Sequence, residues 1–538
     1  MTRLRFVRRA LWLAGTATTL VVGGCIHSFV HTVAVKILPD TGNVFVMTPL
    51  KVHLVDGRTV VFRNGATIDR HAIRGLGDAY PMLGSAADGT KTELVPLDSV
   101  VGVETFQSRV VGFPTLVASA AATAVSTAAV AFGAAALFVA IFGSCPTVYA
   151  DTGSSAVLQA EGFSYAIAPL LEQRDLDPLR VRPDSNGVIR LELRNEALET
   201  HYINNLELMA VRHSRDERAV ADQDGRPLLV SGIRPLVAAH DRAGRDVLSV
   251  LAASDGKLFS STEESVNAAH IGDLDDWIDI DARDLAPGDS IAVVLRLRNS
   301  LLNTVLLYDG VLSGRDAPEW LDNGLQHIST AINLSTWYMR TMGMRASVDG
   351  VRPRSTDRPW NSRLGDVGPL AFRDVAIVLP RPRRDSKTAH IRLRFVADDW
   401  RIDYAGVADR VSRPKQAVVP LTRLILPAKV GETPVIDTAA MAALLEPDGR
   451  YLQTNPGQRM TLEFDVAKPV AHSDSSTTYL IAWQGWYREW IRGKWLAEPK
   501  RPPNWAPNDS LVLSALRRWH SRKAEMEEEF YSSRVPVR

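Results

Sequence analysis

The residues able to do chemistry are few and scattered. Of the twelve histidines only His27 and His31 stand at i, i+4, the spacing that puts two imidazoles on one helical face, and no glutamate base lies between them. Two cysteines exclude a disulfide framework and a cysteine-rich zinc module. The run from Asp273 to Asp281 places Asp273, Asp275, Asp279 and Asp281 at alternate positions, a pattern of oxygen ligands that suits Ca²⁺. An EF-hand register starting at Asp273 fails, because it needs Gly and Glu where Ile278 and Asp284 stand. The bland alternative is an edge strand whose acids face water and discourage edge pairing. No metal is therefore expected, with those four aspartates as the weak candidates. No Gly-x-Ser-x-Gly elbow and no phosphate-binding loop occurs; Arg74-Gly75-Leu76-Gly77 begins a dinucleotide-like run but lacks the third glycine. Paired carboxylates such as Asp398 and Asp399 have the type needed for general acid–base work. Trp483, Trp486, Tyr487 and Trp490 form an aromatic cluster with three readings: a cap on a sandwich core, a membrane-interface belt, or a binding surface for carbohydrate or peptide.

The elements around these residues give the address and the architecture. Arg3, Arg5, Arg8 and Arg9 precede an uncharged, mostly apolar stretch from Ala10 to Val22, too short for a comfortable span. The stretch ends in Val22-Gly23-Gly24-Cys25, which resembles a bacterial lipobox and predicts acylation at Cys25. The alternative is a membrane anchor that keeps Cys25 uncleaved. Either exports the following chain, and Ile26 rather than aspartate after the cysteine favours the outer membrane. With Cys25 acylated, Cys145 has no intrachain partner and needs burial to stay inert.

The expected order is a signal peptide over 1–25, a tether over 26–43 and a small β module over 44–108. An apolar Ala-rich helix or hairpin over 111–143 follows, then a β-rich domain over 144–300, a β-sandwich domain over 301–475 and a Trp-rich, helical segment over 476–538. The fold class is thus mainly β: a small N-terminal barrel or roll, one apolar helix, then sandwich domains and a C-terminal helical segment. The β reading rests on alternation broken by turn dipeptides, among them Asp56-Gly57, Asn64-Gly65, Asp224-Gly225 and Asp255-Gly256. The apolar segment carries no charge from Val110 to Ala150. As a helix Leu116–Phe142 measures about 40 Å, enough for a hydrocarbon core of about 30 Å. Ser119, Thr123 and Thr127 recur on one face that lets another helix approach closely. A span, a hairpin and a helix buried in its own β-domain all remain open. A helix from Asn508-Asp509 to about Phe530 is expected at the end of the chain, with Leu511, Leu513, Leu516, Trp519 and Met526 on one face.

Ser144-Cys145-Pro146-Thr147-Val148-Tyr149, directly after the apolar segment, resembles a motif of bacterial envelope proteins in which an apolar helix is followed by Ser-Cys-Pro, a pair including Tyr, an acidic-Gly turn and a Gly-Glu. Asp151-Thr152-Gly153 stands in for the turn, and Glu161-Gly162 reverses the Gly-Glu. The likeness extends to Arg194-Asn195-Glu196-Ala197-Leu198-Glu199-Thr200, to Trp400-Arg401-Ile402-Asp403-Tyr404 and to Gly485-Trp486-Tyr487-Arg488-Glu489-Trp490. It implies shared architecture and supplies no catalytic residues.

Charge adds an exclusion. Lys+Arg is 62 against Asp+Glu 61 over 538 residues, which argues against a nucleic-acid partner, since phosphate contacts need a basic excess. The sequence therefore predicts a non-enzymatic, lipid-anchored envelope protein with a structural, assembly or binding role. Its expected partners are membrane lipid and other envelope proteins, and no cofactor is implied. The alternative is an envelope hydrolase or glycan-active enzyme with Asp398 to Asp403 as candidate acids.

Overall fold

The computed structural model describes residues 28–31, 44–46, 50–54, 58–68, 71–80, 90–96, 99–105, 107–110, 128–129, 146–151, 156–307, 328–349, 363–381, 383–427, 433–466, 475–489, 508–532 and 534–537. They fall into two compact units, the first essentially within residues 1–136 and the second within the bulk of residues 137–538. The protein is mainly β, as expected.

The first unit is an antiparallel sheet. Leu50–Leu54 pairs with Thr59–Phe62 across Asp56-Gly57, and Val100–Thr105 flanks it on the other side. Val52, Val60, Phe62, Ile73 and Val95 fill its core. Asn64-Gly65 does not make the expected hairpin. Thr59–Phe62 and Ala66–Ile68 both pair with Ala72–Tyr80, at Thr59↔Tyr80 and Ile68↔Ile73, so the dipeptide is a bulge within one long strand. The Arg74-Gly75-Leu76-Gly77 run lies inside Ala72–Tyr80. A Cβ on Gly77 would lie 2.7 Å from Val60 Cγ1, so the core ring packing of Val60 and Phe62 accounts for the glycine without any phosphate. Of the expected apolar helix over 111–143, only Ala128–Ala129 is described. It runs as a two-residue strand beside Glu104 and Thr105, and the rest of the segment lies outside the described residues. No helix among the described residues is long and apolar enough to cross a membrane.

The second unit stacks four sheets. A closed five-stranded barrel sits at its centre, formed by Glu217–Asp222, Pro227–Arg234, Trp400–Ser412, Ser290–Asn299 and Arg373–Pro380. Ile-Ala-Val-Val-Leu at 291–295 is buried on both faces, which is why it reads as continuous rather than alternating. Ala292 and Val294 join Val220, Val230, Ala376 and Ala408 in one cluster. Ile291, Val293, Leu295 and Leu297 point the other way into a core shared with Ile278, Ile280, Ile391, Leu393 and Met344 of a five-stranded sheet. Each such side chain contributes about 1.5–3 kcal/mol on burial.

A second five-stranded sheet covers the barrel hairpin from the other side. Leu176, Met209, Val211, Leu480 and Ala482 pack on Ala219, Ala221 and Leu229. Its backbone is the long antiparallel pair Glu199–Ser214 and Ser475–Glu489, running from Glu199↔Glu489 to Ser214↔Ser475 with a one-residue shift of register between Ile203 and Asn205. A six-stranded sheet containing Thr147–Asp151, Val188–Arg194 and Arg459–Asp465 completes the unit. The chain leaves these two sheets at Ser214 and rejoins them at Gln416, so residues 217–412 are inserted between their two halves. The expected boundary at 300/301 is therefore displaced. Ser290–Asn299 is bound to Trp400–Ser412 in the barrel, a pairing too distant in sequence for local alternation to reveal.

The C-terminal helix Asp509–Ser532 is present and buries Leu513, Leu516, Trp519, Met526 and Phe530. Asn508 Oδ1 accepts the Leu511 N–H at 3.2 Å and caps it. The helix packs on the short helices Glu263–Ala268 and Leu302–Val305.

Candidate functional site

The acidic run forms a strand, Asp275–Arg283, with Asp276, Ile278, Ile280 and Ala282 inward and Asp275, Asp279 and Asp281 outward. It is not an edge strand: Leu236–Asp241 pairs on one side and Thr388–Val396 on the other. A central strand tolerates this charge because each outward acid has a basic neighbour, while the buried Asp276 accepts the Trp277 N–H at 2.9 Å and burial raises its carboxyl. Arg392 holds Asp279 at 2.6 and 2.7 Å, His390 holds Asp281, Arg345 holds Asp275 and Arg242 holds Asp273 at 2.9 Å. The Trp277 ring lies under the guanidinium groups of Arg242, Arg392 and Arg394 at 4.7, 5.0 and 5.6 Å. These aspartates are consumed by cations. Among the described residues no group of three or more His, Cys, Asp or Glu is placed to hold a metal.

The aromatic cluster is interior. Trp483 and Trp486 are 0% exposed and Tyr487 is 3% exposed, so these three make no binding platform. The strand Ser475–Glu489 is covered on both faces over this stretch. Trp486 stacks on Tyr202 with ring centroids 4.0 Å apart, and Trp483 Nε1 donates to Asp177 Oδ2 at 3.2 Å. Trp490, Cys25, Cys145, Ser119, Thr123 and Thr127 lie outside the described residues.

Asp398, Asp399 and Asp403 are also spent. Asp398, in a left-handed conformation at φ +59°, accepts from Arg401 at 2.9 Å, from Trp519 Nε1 at 2.8 Å and from Lys523 at 3.3 Å. It is a latch for the C-terminal helix. Asp403 accepts from Ser254 Oγ at 2.5 Å and the Gly256 N–H at 2.9 Å, and it pairs with Arg296 at 3.2 Å. Asp399 is fully buried, and burial, with Asp366 adding to it, raises its carboxyl well above the usual range. A Thr-His-Glu array also occurs: Thr454 Oγ1 lies 3.1 Å from His201 Nδ1, and His201 Nε2 lies 2.7 Å from Glu199. It has the order of a nucleophile, base and orienting acid, but at 2%, 0% and 0% exposure it offers a substrate no access.

The described surface is opened by a cleft of about 900 Å³ where Gln173–Leu179, the Asp222–Arg226 turn, Arg373–Pro380 and the helix Ile328–Thr341 meet. Its floor is a buried charge network. Arg373 pairs with Asp177 at 2.5 Å and Asp175 at 3.5 Å. Burial works against the guanidinium charge, but the two aspartates outweigh it and hold Arg373 protonated. Asp366 accepts from the Tyr338 hydroxyl at 2.6 Å, Asn303 at 3.0 Å and the Gly368 N–H at 2.8 Å; burial still raises its carboxyl. Glu161 accepts the Leu370 and Ala371 N–H groups at 2.7 and 3.2 Å. Burial lifts it to about 7 against those two bonds, with Asp366 adding to the rise. At the outer side Arg413 pairs with Asp222 at 2.5 Å. Sequence reading missed this site because its members are scattered along the chain from Tyr165 to Arg413. Tyr165, Gln173 and Asp175 fall in a stretch with no motif, and Arg373 reads as an ordinary strand residue.

No known family model matches the chain, and no curated protein matches it. Among solved structures, a GH31 α-xylosidase from Xanthomonas citri aligns at 8% identity over 83% of this chain, which spans 38% of that enzyme's length, with a TM-score of 0.15. A structure of infectious bursal disease virus, Gx strain, aligns at 11% identity over 94% of this chain and 91% of the other, with a TM-score of 0.12. Neither score reaches a level that carries an argument about fold or function.

Proposed function

We propose that this chain is a non-enzymatic, lipid-anchored protein of the bacterial envelope, held at the outer membrane through Cys25 and serving a structural, assembly or binding role beside other envelope proteins. One observation favours binding over the hydrolase alternative: the carboxylates that alternative would use, Asp398, Asp399 and Asp403, are each buried or committed to structural donors. A general acid must reach the substrate's leaving group, and none of the three faces open space. The anchor is supported by the basic, apolar and Val22-Gly23-Gly24-Cys25 sequence, together with the envelope-protein motif at 144–149. The apolar segment 111–143 supplies a second attachment. The test is labelling with a fatty-acid analogue in a Gram-negative host, followed by membrane fractionation. The parent should label and co-sediment with outer membrane, and Cys25→Ala should not label. Equal labelling of Cys25→Ala, or parent protein recovered wholly in the soluble fraction, would overturn the anchor.

A further inference from the structure

We propose that the cleft floored by Tyr165, Gln173 and Asp366 is a binding site for a neutral, hydroxyl-rich ligand: a sugar unit of an uncharged oligosaccharide. The proposal deepens the binding role above and rests on it.

The first argument is charge. At the floor Asp175 and Asp177 share Arg373, with burial raising the Asp177 carboxyl, and Asp222 pairs with Arg413, while Arg174, Asp224 and Arg226 stand at the exposed rim. Asp366 is bonded by Tyr338, Asn303 and a backbone N–H, and burial shifts it toward its neutral form. An ionic group seated at that floor would lose its hydration without gaining a free counter-charge there, which is costly. A neutral ligand escapes that cost.

The second argument is unspent hydrogen-bonding capacity. Gln173 Oε1 is buried without a partner, while the amide's other end is committed, Nε2 donating to Asp175 Oδ1 at 2.9 Å. That fixes the carbonyl's orientation and leaves an acceptor in want of a donor. The Tyr165 hydroxyl contacts only the thioether of Met339, at 3.8 Å, a weak acceptor. Burial raises its pKa, so it stays a neutral donor and acceptor at any physiological pH. Two such groups, one accepting and one able to do both, are served by vicinal hydroxyls. Buried polar groups left unmade are expensive, so a ligand that completes them gains more than the same bonds would at an exposed surface.

The third argument is the wall. Leu176, Val375 and Leu364 line the same cleft. A sugar ring offers hydroxyls at its edge and C–H groups on its faces, and so meets both kinds of lining. The volume falls within the roughly 300–1,000 Å³ of small-molecule sites.

The experiment uses the full chain, purified in detergent, on an array of neutral oligosaccharides that also carries uronate-containing and amino-sugar members with free charge. At least one neutral member should bind saturably. Its affinity should fall about tenfold or more in Gln173→Leu and in Tyr165→Phe, each of which removes one bond. The Tyr165→Phe protein keeps the ring, so it reports on the hydroxyl even if Gln173→Leu folds poorly. An exposed change away from the cleft, Asp216→Asn, should leave binding unchanged. Binding to none of the neutral members, to charged members only, or equally by both variants would overturn the proposal. If a neutral member binds and is cleaved, the site stands and the non-enzymatic reading falls. If the array is blank while Cys25 labels, only the ligand proposal falls.

Discussion

Replacing Glu161 by glutamine should remove a specific part of the protein's pH sensitivity. Glu161 is 1% exposed, and one of its oxygens accepts two backbone N–H groups while Oε1 has no partner. Its carboxyl is lifted from an ordinary 4.5 to about 7, by burial above all. A raised folded-state pKa means the native protein holds this proton more tightly than the unfolded chain does. Stability from this group is therefore complete below about 4.5 and is lost as pH rises through about 7. A rise of this size is worth about 3 kcal/mol between pH 4.5 and 8.5. Glutamine keeps the accepting oxygen for Leu370 and Ala371 but never ionises. Its amide nitrogen takes the place of the unpartnered oxygen and costs about 1–3 kcal/mol at every pH. The informative quantity is thus the change in the variant-minus-parent difference between pH 5 and pH 8.5. It should move by about 3 kcal/mol in the variant's favour. Asp177, Asp366 and Asp399, which burial also raises, are present in both proteins and largely cancel. Urea unfolding followed by tryptophan emission measures it, since Trp483 lies in the adjoining sheet and in contact with Gly162. Parallel pH profiles for parent and variant would refute the reasoning.

Two further changes test the packing. Asp398→Ala leaves Arg401 without its buried carboxylate and frees Trp519 and Lys523, which should cost about 3–5 kcal/mol and undock the C-terminal helix; trypsin should then cut at Arg517 to Lys523 at rates the parent resists, and unchanged protection would show that the latch is not needed. Gly162→Ala would put a Cβ 2.6 Å from the Trp483 ring, which is 0% exposed and has no room to yield; the expected loss is about 1–3 kcal/mol, read as a lower melting temperature with shifted tryptophan emission, and a neutral result would show that the sheet gives way.

How far the sequence could be read depended on whether a signal was local. Alternation at 188–194 and 390–396 appears as strands because a period of two survives wherever one face meets water or a neighbouring polar layer, while at 290–299 it survives only over the last five residues, the stretch before them being buried on both faces. Asp224-Gly225 makes its hairpin, with the Gly225 N–H bonded to Asp222 O at 3.0 Å. Asn64-Gly65 fails as a hairpin because the following strand, not the turn, decides the pairing, and both flanking pieces prefer Ala72–Tyr80. Asp255-Gly256 closes a loop onto Asp403 and joins no strands. The aspartate run was legible as a strand but not as a central one. Two of its neutralising partners, His390 and Arg392, lie more than a hundred residues away. The cleft was illegible for the same reason, being assembled from residues as far apart as Tyr165 and Arg413.

The segments 194–200, 400–404 and 485–489 occupy junctions of the fold. In Arg194–Thr200, Asn195 Nδ2 ties Glu199 O to Thr454 O, each at 2.9 Å, across the two halves of the interrupted sheets. Glu196 accepts from Thr147 Oγ1 and Tyr149 OH at 2.9 Å and binds Arg534, while its carbonyl takes the Val535 N–H at 2.8 Å. In Trp400–Tyr404, Arg401 completes the Asp398 latch and Asp403 pins the 254–256 loop. In Gly485–Trp490, Trp486 stacks on Tyr202. The C-terminal segment therefore crosses from the inserted 217–412 region, at Asp398, to the flanking sheets, at Glu196 and Tyr149. Residues at such joints keep the insertion and its host in one arrangement, and they do so whatever the cleft binds. None of those segments contains Tyr165 or Gln173, so the joints and the cleft lining are set by different residues.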